Sequence, residues 1–235
     1  MVVRAALIAN TTDADPGFVG RSLRERGYSF VEYLREQWES WPDAADVDLV
    51  VAMGSSWSVY WPDFHAPIHA EQRLIASAIA RGVPVLGICF GAQQLATVLG
   101  GSVTKAQSPE IGWFSVEKVP ETAEITPDCM VEGPWMQWHY DRFSVPAGAT
   151  VLAQSPVGPQ AVVCGRSLGV QFHPEATESI VRHWSSGDGS SELETQSIDA
   201  RRLSADTSAH VTDSEKRCDQ LVEWFLQNVA QKHME

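Results

Sequence analysis

Three apolar runs in the first hundred residues alternate with stretches at helical spacing, and this alternation constrains the fold more than any other feature. The run AALIAN (Ala5 to Asn10) reads as a buried strand, VDLVVAMG (Val47 to Gly54) as a second, and the segment opening at Val83 as a third. Between the first two lie a helical stretch near Gly17 to Arg26 and a second one ending around Trp38. From Ile68 the positions Ile75, Ala78 and Ile79 keep one helical face, which Gly82 and Pro84 stop. Strands alternating with helices imply a mostly parallel central sheet with right-handed crossovers and helices on both faces. In such sheets, sites gather at the carboxyl ends of the strands. From Gly101 to Phe172 the pattern changes to short strands, SVTKA, GWFSVEKV, QWHYDRFSV, TVLAQS, AVVCG and LGVQF, separated by Pro and Gly turns. An antiparallel extension is expected there, within one domain spanning residues 1–235.

The stretch VLGICFGAQQLATVLGG places Cys89 between the third strand and a helix that carries Leu95, Val98 and Leu99. A helix start leaves backbone N–H groups without partners and favours negative charge, so a cysteine there is suited to act as a thiolate. A thiol nucleophile needs a base, and LGVQFHPEA offers one: His173 directly follows an apolar strand, as Cys89 does, with Glu175 two residues on. If both strands belong to one sheet their ends meet, and Glu175 can orient the imidazole in a nucleophile, base and orienter set. Glu175 has the alternative of capping the helix expected to run from there to about His183.

GICFGAQ together with GVQFHPE, 84 residues apart from Cys89 to His173, resembles the class I glutamine amidotransferase family, in the form of a stand-alone glutaminase domain like that of GMP synthase. The resemblance implies a flavodoxin-like α/β fold and hydrolysis of the glutamine γ-amide through a cysteinyl thioester. The ammonia would go to an ATP-dependent synthetase partner. By position it makes Cys89 the nucleophile, His173 the general base and acid, and Glu175 the orienting carboxylate. It places the oxyanion hole at the backbone N–H groups of Phe90 and Gly54. Gln93 and the segment WHYDRF, with His139, Tyr140 and Asp141, resemble the part that binds the amino acid end of the substrate. Two departures stand out: MGSSWS replaces the Gly- and Pro-rich turn at the oxyanion strand, and Tyr140 stands where relatives often have glycine. Neither a metal nor an organic cofactor is implied.

The same machinery suits a γ-glutamyl hydrolase acting on amine or peptide conjugates. A non-catalytic subunit that kept the fold would be expected to lose Cys, His or Glu, and this chain has all three. Asp63, His65, His69 and Glu71 superficially resemble a metal cluster, but their spacing is irregular and Pro67 interrupts it, so a loop leading into a helix is expected.

Composition narrows the partners. Seventeen Lys and Arg against thirty Asp and Glu leave a formal charge of −13, which repels nucleic acid and anionic membranes. The N-terminal apolar run is too short to span a bilayer and lacks a signal cleavage site, so a cytoplasmic protein is expected. Cys129, Cys164 and Cys218, widely spaced, are expected to be buried structural thiols. The polar segment from residue 185 to 211 is expected to be mobile or poorly packed, anchored only by Leu193, Ile198 and Leu203. Thr212 to Glu215 read as the capping box of a final helix with Cys218, Leu221, Val222, Phe225 and Val229 on one stripe.

Overall fold

A computed structural model describes residues 3–42 and 47–231. The apolar runs form β1 (Val3–Ala9), β3 (Leu49–Ala52), β4 (Val85–Ile88) and β10 (Ser167–Val170), and almost every residue in them is buried. Continuous burial on both faces is what a covered parallel sheet requires. With β2 (Tyr28–Leu34) at the edge, these strands run parallel in the order β2-β1-β3-β4-β10. The sheet continues antiparallel through β9 (Gly158–Cys164), β8 (Thr150–Ser155) and the short β6 (Glu117–Lys118), giving eight strands among the described residues. A second, two-stranded antiparallel sheet pairs β5 (Val103–Phe114) with β7 (Trp135–Phe143).

Helices cover both faces. On one side lie α1 (Gly17–Glu25) and α6 (Ala200–Phe225), packed together over the core that holds Trp135 and Phe225. On the other side α2 (His65–Ala80) and α3 (Phe90–Val98) pack against each other. The start of α3 approaches the sheet so closely that only glycines fit. A Cβ on Gly87 would lie 2.6 Å from the Gly91 carbonyl oxygen, and one on Gly91 would overlap the Ala52 carbonyl.

Four sequence expectations need correction. The helical stretch ending around Trp38 is instead the strand β2 followed by a tight 3-10 turn over Arg35–Ser40. Tyr28, Phe30, Val31 and Tyr33 favour a strand, and Gly27, at φ 87°, ends α1 beforehand. SVTKA and the first half of GWFSVEKV form one long strand whose pairing shifts between Lys105 and Glu110, whereas Glu117–Lys118 joins the main sheet. Residues 185–211 are helical and packed rather than irregular: they hold α5 (Asp188–Thr195) and the first half of α6, with Leu193 and Leu203 in a core cluster. The Thr212–Glu215 segment lies inside α6, whose N-cap is Asp199, accepting from the Arg201 N–H at 2.8 Å.

The stripe that makes α6 continuous was hidden because it contains small polar residues. Leu203, Thr207 and Ser214 are buried along it, and the Thr207 hydroxyl bonds the Leu203 carbonyl while accepting from Trp113 Nε1. Leu193 and Leu203 close a cluster with Ile111, Met136 and Val181. Leu203→Ala is therefore expected to cost about 2–5 kcal/mol of unfolding free energy, read by chemical denaturation. A loss within about 0.5 kcal/mol would mean that this segment contributes little to the fold.

Candidate active site

The ends of β1, β3, β4 and β10 open onto one cavity of about 840 Å³. Cys89 stands at the junction of β4 and α3 with φ 50° and ψ −107°, one of two non-glycine residues at positive φ among those described. That conformation costs on the order of 1–3 kcal/mol and persists only where its surroundings impose it. Here they do: the Cys89 N–H donates to the Val170 carbonyl at 2.8 Å, and the carbonyl of Cys89 accepts from Gln93 N–H, fixing the turn at both ends. The sulfur accepts from Gln171 Nε2 at 3.5 Å, and in its neutral form it donates to the Trp138 carbonyl at 3.8 Å.

His173 arrives from β10 and is tied to β7, its N–H donating to the Met136 carbonyl at 2.8 Å. Its Nδ1 lies 2.7 Å from Glu175 Oε1, and both side chains are buried. A carboxylate accepts only, so Nδ1 carries the proton. Trp184, from α4 (Glu178–Trp184), meets the imidazole edge to face, with centroids 4.7 Å apart. Glu175 does not cap α4, because Thr177 does, its hydroxyl accepting from the Ile180 N–H. Burial opposes charging the His173 ring, yet the Glu175 carboxylate and the Cys89 sulfur outweigh it and raise its pKa well above 6.5.

Gly54 follows β3 and faces both groups: a Cβ there would lie 3.0 Å from His173 Cε1 and 3.7 Å from Cys89 Cβ. Phe90 opens α3, so its N–H has no partner within the helix. Cys89, His173, Glu175, Gly54 and Phe90 thus converge on one end of the cavity.

The remaining candidates also line the cavity, in different settings. Gln93 is buried, and its amide donates to Gln171 Oε1 and to the Asp141 carbonyl. His139 is held between the Asp141 carbonyl at Nδ1 and Glu110 at Nε2, each 3.1 Å away. Asp141 accepts from the hydroxyls of Ser58 and Tyr60. Tyr140 is pushed up to about 12 by burial and by Glu192. Glu192, from α5, also accepts from Trp138 Nε1 at 2.8 Å, so α5 forms the far wall. Glu71, considered within a metal-like set, instead pairs with Arg35.

Reasoning from sequence overlooked Gln171, Arg35, Trp184 and Glu192. Gln171 had a visible signal: it stands two residues before His173, so in extended chain both side chains leave on the same face. Of the structural thiols, Cys129 and Cys218 are buried as expected, with Cys129 pushed up to about 11 by burial, but Cys164 is only half-buried.

The profile of a family described as "Glutamine amidotransferase class-I" matches residues 21–183. The chain belongs to the class I glutamine amidotransferase family. Over 172 residues the chain is 37% identical to the glutamine-hydrolyzing GMP synthase of Aeropyrum pernix, covering 70% of the chain and 30% of that protein. The glutamine-hydrolyzing GMP synthase of Helicobacter pylori is 34% identical over 165 residues, covering 68% and 30%. The chain thus spans about 30% of the length of these curated relatives. Among solved structures, a glutamine amidotransferase from Thermotoga maritima superposes with TM-score 0.84 at 29% identity, covering 99% of the chain and all of its own. Among the described residues, no helix is long and apolar enough to cross a membrane.

Because Glu175 raises the His173 pKa, the ring keeps its proton to higher pH than a free imidazole. The stability linked to that proton is fully present below about pH 6.5 and is lost as pH rises through the folded-state value. The NMR titration of His173 is expected to have a midpoint well above 6.5 in the parent and a lower one in Glu175→Gln. Equal midpoints would remove Glu175 as the source of the shift.

Proposed function

We propose that this chain hydrolyses the γ-amide of glutamine with Cys89 as nucleophile. The observation that carries the reading is the buried His173–Glu175 pair, 2.7 Å apart, beside a cysteine held in a strained strand-to-helix turn. The Cys89 thiolate attacks the γ-carbonyl carbon, and the developing oxyanion is received by the N–H groups of Gly54 and Phe90. Imidazolium at His173 gives its proton to the departing ammonia as the tetrahedral centre collapses to a γ-glutamyl thioester. Water then enters, His173 removes its proton, and glutamate leaves as the thiolate is restored. Glu175 keeps the ring oriented and stabilises its charged form through both halves. Gln93, His139, Tyr140 and Asp141 are proposed to form the wall that holds the amino acid end of the substrate.

Similarity to glutamine-hydrolyzing GMP synthases supports an ammonia-consuming partner of the ATP-dependent synthetase class. One observation favours a second reading. The cavity extends past the sulfur to α5, and about 840 Å³ is within the range that houses ligands of drug size, well beyond glutamine. A γ-glutamyl amine or peptide conjugate would fill that outer part, with Tyr140 and Glu192 on its path.

Ammonia release from glutamine by the purified chain tests the first reading, and Cys89→Ala is expected to lower it by a factor of about 1000 or more. A diazoketone analogue of glutamine is expected to label Cys89 and to spare Cys129, Cys164 and Cys218. Labelling elsewhere would refute the assignment. A panel of γ-glutamyl amides distinguishes the readings: a higher kcat/KM for the conjugates than for glutamine would favour the hydrolase.

A further inference from the structure

Arg35 is fully buried beside the candidate active site and takes no part in the chemistry above. It begins the turn after β2. A guanidinium has five N–H donors, and all five are engaged here. Nε and Nη2 hold Glu71 at 2.8 and 3.0 Å. Nη1 donates to Asn10 Oδ1 and to the Gly54 carbonyl, each at 2.9 Å. Nη2 also donates to the Met53 carbonyl at 2.9 Å. Its Cζ lies over the Phe90 ring, 4.8 Å from the centroid.

The two backbone carbonyls are the informative partners. The Met53 carbonyl and the Gly54 N–H belong to one planar trans peptide, in which C=O and N–H point in opposite directions. Fixing that oxygen on Arg35 turns the Gly54 N–H away from Arg35, and the Gly54 carbonyl is held by the same cation. On its other flank, Gly54 abuts His173 and Cys89. A cation against a carbonyl also polarises the amide, which strengthens its N–H as a donor. Phe90, which carries the guanidinium on its ring, supplies the other N–H. An ion pair serving only the fold would require Glu71 alone, and an apolar pair of similar size often serves as well.

We infer that Arg35, neutralised by Glu71, is a positioning residue that aims the Gly54 and Phe90 N–H groups at the oxyanion. The inference rests on the thiolate reading above. It also accounts for a turn, MGSS, that lacks the Gly- and Pro-rich sequence otherwise expected at this strand end.

The test is Arg35→Met/Glu71→Met, which removes both buried charges together, with Arg35→Lys and Arg35→Met beside it and thermal melts throughout. In the double variant kcat for glutamine is expected to fall about 100-fold, the usual effect of losing one oxyanion donor, with KM within about threefold of the parent. Alkylation of Cys89 by iodoacetamide, which requires the thiolate but no oxyanion site, is expected to keep the parent rate. Lysine offers three donors from a point charge and cannot span both carbonyls and Glu71. Arg35→Lys is therefore expected to recover the melting temperature lost in Arg35→Met but not kcat, and it carries the test should the double variant fail to fold. A folded variant with parent kcat overturns the inference. So does a parallel fall in kcat, substrate affinity and alkylation, which would make Arg35 a purely structural support. Absence of glutamine turnover in the parent, or turnover that survives Cys89→Ala, would overturn the underlying reading first.

Discussion

The close approach of α3 to the sheet is the constraint on which the rest of the site depends. Gly87 and Gly91 let the helix begin against β3 and β4 at a distance no side chain would permit, and the chain reaches it only by turning sharply at Cys89. That turn puts the sulfur at the mouth of the sheet and the Phe90 N–H at a helix start. It also brings the Phe90 ring against Arg35. With α3 set further out, none of these positions would follow from the others.

What the sequence made legible tracks the strength of local signals. Cys89 and His173 each follow a short apolar strand, so strand pattern and motif agree, and the two strands share one sheet as expected, as parallel neighbours. Glu175, two residues from its partner, was legible for the same reason. Arg35 was not, because its partners Asn10, Met53, Gly54 and Glu71 come from three other segments and a lone arginine carries no pattern. The edge strand β2 was obscured by its partly exposed, mixed composition and by the glutamates around it. Residues 185–211 failed differently: their burial runs through Thr207 and Ser214, which a hydrophobic stripe does not register.

The family match ends at residue 183, yet the cavity does not. Asp188 and Glu192 line it from α5 and Gly187 from the residue before that helix, and Trp184, just past the matched region, packs on the imidazole. Cys89, His173, Glu175, Gly54 and Phe90 all lie inside the matched region, whereas part of the cavity wall comes from residues C-terminal to it.

On the proposed mechanism, the positive φ at Cys89 also sets folding against chemistry. Glycine occupies that backbone region at no steric cost, so of all residues it is the one that would best relieve the turn. Any cysteine side chain kept there is retained against a preference of the backbone itself. With Cys89 as the proposed nucleophile, selection for robustness alone would drift toward a steadier but inert scaffold, and the thiol marks the point where the chain forgoes that gain.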